Sequence, residues 1–415
     1  MSTSTSESYV WVWLPQAEEP VPAGVARQER RVARFAYGER YRQRSDAISL
    51  FDAELPLSHS GFADPPAGLE IAGCLNDAGP DSWGQRVTLN RLAGRDASFS
   101  DLNRLTYLVE AGSDRIGALD FQASPREYVH RGSEQATLTD MLEVAERIEA
   151  GDPVPAELEQ ALRAGSSVGG ARPKALLTDG DRRLIAKFSS LTDTWPLVRA
   201  EFVAMRIAAR CGLDVAAVEL AEASGRDVLL VERFDRIPGT ACRRAVLSAL
   251  TVLGLPETSP QLAAYGDLSE LIRRRFTAPT RTRRELFSRM VFNILCGNTD
   301  DHARNHSAFW DGRELMLTPA YDICPYLRGG GEASQAMLLG TSDDPYRLSN
   351  VGGCVDRAHL YGITRDEALE IVRRQRETIE ATWDEVCDEA RLKRTQREVI
   401  RRVFPHEYAL YDLAA

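Results

Sequence analysis

Asn298-Thr299-Asp300-Asp301-His302-Ala303-Arg304-Asn305, followed by Pro319-Ala320-Tyr321-Asp322, decides the reading of this chain. An Asp, an Asn five residues on and a second Asp about one hairpin further supply what ATP-dependent phosphoryl transfer needs. The first carboxylate accepts or orients the proton of an attacking hydroxyl. The Asn and the later Asp offer hard oxygen ligands to a Mg²⁺ that bridges the phosphates. Asp300, Asn305 and Asp322 are the candidates. The plainer reading of the same stretch is a polar loop whose Asp and Asn side chains close turns on their own backbone.

A compositional bias weighs against the plainer reading. Of 51 basic residues only Lys174, Lys187 and Lys393 are lysine. Two of them flank one short hairpin. A chain that uses arginine almost everywhere keeps lysine where a compact ammonium differs from a rigid guanidinium fork, as it does on a nucleotide phosphate.

Length and composition set outer bounds. The 415 residues, 43% hydrophobic and 27% charged, suit a soluble globular protein of two or three domains. No apolar run approaches the ~20 residues that span a bilayer. The start, Met1 to Ser8, lacks the basic and apolar parts of a signal peptide, so no membrane association and a cytoplasmic location are expected. Seven cysteines without a CxxC pair read as reduced thiols, Cys296 and Cys324 among them. Six histidines offer no zinc spacing, and His302 with His306 reads as structural, or as support for residues that touch a ligand, more than as a metal pair. A net charge of -10 disfavours broad electrostatic binding to nucleic acid.

Along the chain, Tyr9 to Leu14 and Arg30 to Tyr37 read as strands of a small β-rich opening domain. Asp81-Ser82-Trp83-Gly84 starts a helix through Leu92, and Asp114 to Phe121 turns into another strand. Leu138 to Leu162 is helical with a break at Gly151-Asp152-Pro153 and reads as a connector. Gly165 to Lys174 is a Gly-rich loop able to lay backbone N–H groups over phosphate oxygens. It enters a hairpin that turns at Asp179-Gly180 and returns as Leu184 to Phe188. A helix from Pro196 to Gly212 carries Glu201, the natural partner of Lys187 in a kinase-type site, although a solvent-facing Glu fits equally. Strands over Val215 to Leu220 and Val228 to Val231 lead into Glu232-Arg233-Phe234-Asp235, which could present backbone groups to an adenine edge with Phe234 nearby.

Beyond residue 236 the pattern is mostly helical. Leu286, Phe287, Met290, Val291, Ile294 and Leu295 form one apolar stripe ending at Gly297, so the candidate loop leaves a buried helix. Ser307 to Trp310 and Leu315 to Thr318 form a hairpin carrying the chain from Asn305 to Asp322. Two helices over roughly 365 to 404 end on a basic face, Arg391 to Arg402, read as solvated, with a nucleic-acid or partner contact as the lesser alternative.

The order is Gly-rich loop, strand lysine, helix glutamate, linker, Asp with Asn, then Asp. It is the part order of a protein-kinase-like fold, although HRD and DFG are both absent. With Ser167-Val168-Gly169-Gly170-Ala171-Arg172-Pro173-Lys174, Val231 to Arg236 and Leu317 to Asp322, and with Pro80 to Gly84 and Arg115 to Leu119, the chain resembles the HipA family. These are the serine/threonine-kinase toxins of bacterial type II toxin-antitoxin modules.

The resemblance implies an α+β, bilobal protein-kinase-like fold with a β-rich N-terminal subdomain and a mainly helical C-terminal lobe. The expected parts are 1–125, a helical connector 126–164, an N-lobe 165–235 and a C-lobe 236–415. It implies ATP and Mg²⁺ as cofactors, Asp300 as base, and Asn305 and Asp322 on metal. Ser167, Val168, Gly169, Gly170, Ala171, Lys174, Lys187, Glu201, Glu232, Phe234 and His302 would line the nucleotide. Ser167 matches the loop serine whose autophosphorylation switches the family's kinases off, with Ser166 as fallback. The implied partner is a HipB-like helix-turn-helix antitoxin that contacts operator DNA, and family targets include aminoacyl-tRNA synthetases. Two other readings stay open: a catalytically weak co-repressor of a DNA-binding antitoxin, and a kinase of small-molecule hydroxyls.

Overall fold

Strand β1 (Glu7–Val12) is one of the two inner strands of a four-stranded sheet in the order β3-β2-β1-β4, with β2 (Val21–Glu29), β3 (Val32–Tyr37) and β4 (Leu119–Gln122). The computed structural model describes residues 4–93, 97–132, 136–158, 161–162, 172–190, 193–327 and 331–411. Two compact units result. The first holds residues 1–192, 221–247 and 309–313, and the second holds 193–220, 248–308 and 314–415. These units cut across the expected four parts, because the helix Leu197–Arg210 groups with the later helices.

A second sheet in the first unit, in the order β5-β6-β8-β7, uses β5 (Lys174–Asp179), β6 (Arg182–Phe188), β7 (Val218–Ala223) and β8 (Arg226–Glu232). Ser224 and Gly225 both take positive φ, the geometry a tight turn needs to match strand twist. One sheet face buries Ala175, Leu184, Ala186, Phe188, Val228 and Leu230 against Trp83 and Val87 and against Met141, Leu142, Val144, Ala145 and Ile148. The last five come from the helix Leu138–Ala150. That helix was expected as a connector, yet its apolar face makes it part of this core.

The first unit also holds a charged cluster that sequence periodicity does not reveal. Asp235 accepts from the Gly117 amide at 2.7 Å, from Arg233 at 3.0 and 2.8 Å, and from Arg236 at 2.6 Å. Asp114 accepts from Arg233 at 2.9 Å and from Arg236 at 3.2 Å. Burial raises the Asp235 pKa, but the Arg233 and Arg236 charges outweigh it and hold the carboxyl at about 2.

The second unit is built on the helix Pro279–Leu295, whose expected stripe from Leu286 to Leu295 is buried. The helix Arg365–Glu389 packs on Leu197–Arg210, joined at its rim by Arg206–Glu389 and Arg210–Glu385 ion pairs. Much of the basic face on Arg394–Arg401 is neutralised by Glu380, Asp388 and Glu398. Among the described residues no helix is long and apolar enough to cross a membrane. All seven cysteines are free thiols, and burial pushes Cys296 up to about 12.

Candidate active site

The helix Pro279–Leu295 hands the chain to the candidate loop through Gly297. This residue sits at φ 76, and a Cβ there would lie 2.6 Å from the Val403 carbonyl oxygen. Glycine is therefore required both by backbone conformation and by space. Beyond it the loop is held by buried polar groups. Asn298 N donates to the Asn293 carbonyl at 2.8 Å, and Asn298 Nδ2 donates to Asn293 Oδ1 at 3.0 Å. Asn293 Nδ2 donates to Asp301 Oδ2 at 2.7 Å.

His306 completes this network. Its Nε2 lies 3.1 Å from the Asp301 carboxylate and 3.2 Å from the Tyr265 hydroxyl. Asn293, Asn298, Asp301, His306 and Tyr265 are each 1–3% exposed. His306 Nδ1 is buried with no hydrogen-bond partner among the described residues. We therefore assign the proton to Nε2, facing Asp301, because a buried bare lone pair is less unfavourable than a buried unpaired N–H next to no acceptor. Bonds this far from water are strong and fix the loop from beneath. The two adjacent aspartates thus differ completely: Asp301 is structural and Asp300 is exposed.

Asn305 ends the short turn Ala303–Asn305. Its backbone N donates to the His302 carbonyl at 2.8 Å, and its Nδ2 donates to the Asp300 carbonyl at 3.4 Å. The strands Ser307–Trp310 and Leu315–Leu317 are neighbours, as expected, and return the chain to Asp322. Thr318 N and Oγ1 both donate to the Ser307 carbonyl, at 3.0 and 3.1 Å. The Tyr321 hydroxyl lies 2.6 Å from both the Arg304 carbonyl and Ser307 Oγ. That phenol latches the Asp322 segment to the Asn305 segment. Asn298 Nδ2 also reaches the Asp322 carbonyl at 3.5 Å. Asp322 itself has φ 59, a left-handed conformation that an L-residue holds only when its surroundings impose it. Asp300, Asn305 and Asp322 are thus brought into one pinned loop system, with half-buried His302 between them in sequence.

In the first unit the hairpin forms where expected, and its register sets Lys174 directly opposite Lys187. Directly opposed residues share a sheet face, where like charges repel. Lys174 is buried, and its carbonyl accepts from Trp83 Nε1 at 3.2 Å. Glu232 ends β8 opposite Leu184, and the Phe234 ring packs edge-on against Phe309 at 5.8 Å. Glu201 is buried on its helix in the second unit, so the solvent-facing alternative is excluded. Ser166, Ser167, Val168, Gly169, Gly170 and Ala171 lie outside the described residues. The Asn293–Asp301–His306–Tyr265 network was not foreseen, and only the repeated Asn and His around the loop hinted at it.

A sheet flanked by helices, followed by a helical unit with an Asp, Asn, Asp loop system, defines a protein-kinase-like phosphotransferase. The HipA-like C-terminal domain matches residues 166–388, and the HipA N-terminal domain matches residues 12–122. The chain belongs to the HipA family of kinases. Among curated relatives, the putative kinase Y4mE of Sinorhizobium fredii is 29% identical over 314 residues, 70% of this chain and 71% of that protein. The serine/threonine-protein kinase toxin HipA of Shewanella oneidensis is 29% identical over 207 residues, 44% of this chain and 48% of that protein. A solved HipA from Shewanella oneidensis MR-1, in complex with HipB and its operator DNA, shares the fold. Its TM-score is 0.65 at 20% identity, over 95% of this chain and 94% of that one.

Proposed function

We propose that this protein is an ATP- and Mg²⁺-dependent serine/threonine protein kinase, the toxin of a HipBA-like toxin-antitoxin module. The observation that carries the reading is the latch at Tyr321, which fastens the segment of Asp322 to that of Asn305 beside an exposed Asp300. Asp300 is the base. Asn305 commits its amide nitrogen to the Asp300 carbonyl, so its amide oxygen is the end left for a cation. With the Asp322 carboxylate it makes a hard-oxygen pair of the kind Mg²⁺ takes, and the left-handed backbone of Asp322 is a conformation that collects at functional sites. When bound, the ion would neutralise charge on the transferring phosphate. Lys187 and Lys174 would hold the phosphates, Glu201 is proposed as a further residue of the nucleotide site, and Glu232 and Phe234 would border the base. Ser167 is the proposed site of self-phosphorylation.

The partner proposed is a HipB-like helix-turn-helix antitoxin, with operator DNA reached through it, as the complex of the Shewanella relative suggests. The acceptor is a protein serine or threonine, and an aminoacyl-tRNA synthetase follows from the resemblance alone. Labelled ATP with Mg²⁺ should place phosphate on Ser167 of the wild type, mapped by mass spectrometry. Asp322→Ala should carry none, and calorimetry should show its Mg²⁺-dependent ATP affinity lost. Unchanged affinity in that variant would contradict the metal role. Lys187→Arg should also lose at least tenfold in ATP-dependent activity, because a planar fork does not replace a point ammonium. Wild-type rates in Lys187→Arg would remove the lysine from the site.

A further inference from the structure

Four residues past Asp322, the half-buried side chain of Tyr326 turns back on the candidate base. Its hydroxyl donates to Asp300 Oδ2 at 3.5 Å, while its backbone N donates to the Gly297 carbonyl at 3.0 Å. Gly297 begins the loop that carries Asp300, so the backbone of Tyr326 is fastened to the same loop that its side chain covers. Upstream, Ile323, Cys324 and Pro325 are buried and hold the segment down.

A general base must lie within hydrogen-bonding reach of the hydroxyl whose proton it takes. In this structure a hydroxyl of the chain itself stands beside Asp300. We propose that the Tyr326 hydroxyl occupies the place of the acceptor hydroxyl against Asp300, so that the resting protein carries an internal acceptor mimic which a substrate serine or threonine displaces. This inference rests on the kinase reading above.

Two physical features favour a mimic that leaves easily. At 3.5 Å the contact is longer than the 2.5–3.0 Å of a strong O–H···O bond, so an incoming hydroxyl that reaches a shorter distance wins the base. Burial first, then the neighbouring Cys324, Asp300, Asp322 and Glu201, raise the pKa of the phenol. It therefore stays protonated and presents a proton to the carboxylate as an acceptor alcohol does. While it remains there, Oδ2 of the otherwise exposed carboxylate is engaged by the phenol, which slows idle transfer of phosphate to water.

The test is ADP release from ATP and Mg²⁺ with no added acceptor, counted beyond the one equivalent that self-phosphorylation of Ser167 consumes, measured for the wild type, Tyr326→Phe and Asp300→Asn. Tyr326→Phe keeps the ring and removes only the hydroxyl. It should release ADP several-fold faster than the wild type, with the KM for ATP unchanged and the same melting temperature. Tyr326→Leu, which also opens the space of the ring, should show at least the same rise. Release that depends on Asp300 but is unaltered or slowed in both Tyr326 variants overturns the inference and leaves the kinase reading standing. Phosphate mapped to Tyr326 itself also overturns it, since the residue would then be a substrate and not a mimic. Silence from every protein overturns the mimic, and only silence together with no phosphate on Ser167 of the wild type overturns the kinase reading as well.

Discussion

Asp300→Asn should lower the rate of phosphoryl transfer by about 10²–10⁴, the usual contribution of a positioned general base, equivalent to roughly 3–5 kcal/mol of barrier. The loss should fall on kcat with little change in the KM for ATP, because the group acts on the acceptor's proton in the transition state. The folded protein should be indifferent. Asp300 is exposed, and the bond from Asn305 goes to its backbone carbonyl, which the substitution keeps. Single-turnover transfer from labelled ATP, with a thermal melt of the same sample, checks both halves. Retained activity removes Asp300 from the mechanism.

Asp301→Asn gives the contrast that makes this result interpretable. Asp301 is buried and is reached by Asn293 Nδ2 and His306 Nε2, so an amide there places a donor against donors. Loss of activity in that variant would accompany loss of stability. Two neighbours of one residue type thus separate cleanly by burial.

How much of this was legible in the sequence depends on whether the signal was local. The hairpin over Lys174 to Phe188 was, because Asp179-Gly180 between two apolar runs marks a turn, although the loop residues are Gly180 and Asp181 and the register follows from them. So was the helix Pro279–Leu295, since six apolar residues share one stripe and glycine ends it. Strand β2 was not. Its Pro22 and Gly24 read as breakers, and only pairing with both neighbours makes it a strand. The helix Tyr265–Arg275 was also hidden, because its closing arginines mask the apolar positions. The site divides in the same way. Asp300, Asn305 and Asp322 follow from spacing, whereas the burial of Asp301 and the latch at Tyr321 depend on partners brought in by folding.

The largest effect on stability is expected at Asp235. Asp235→Ala should destabilise the first unit by about 3–5 kcal/mol, the range for breaking one side of a buried ion pair. The carboxylate is 1% exposed and joins the Gly117 amide to Arg233 and Arg236, so its removal leaves two buried guanidinium groups short of an acceptor. Asp114, which also faces both arginines, can compensate only in part. The pH dependence has a definite sign. A carboxyl held at about 2 in the fold, against roughly 3.9 in the unfolded chain, binds fewer protons when folded. Its stabilisation is whole above about pH 4 and drains away as the pH falls through 2. Wild type and Asp235→Ala should therefore melt far apart at pH 7 and converge in acid. A gap that persists unchanged at pH 2 would assign the loss to the emptied volume instead of the charge.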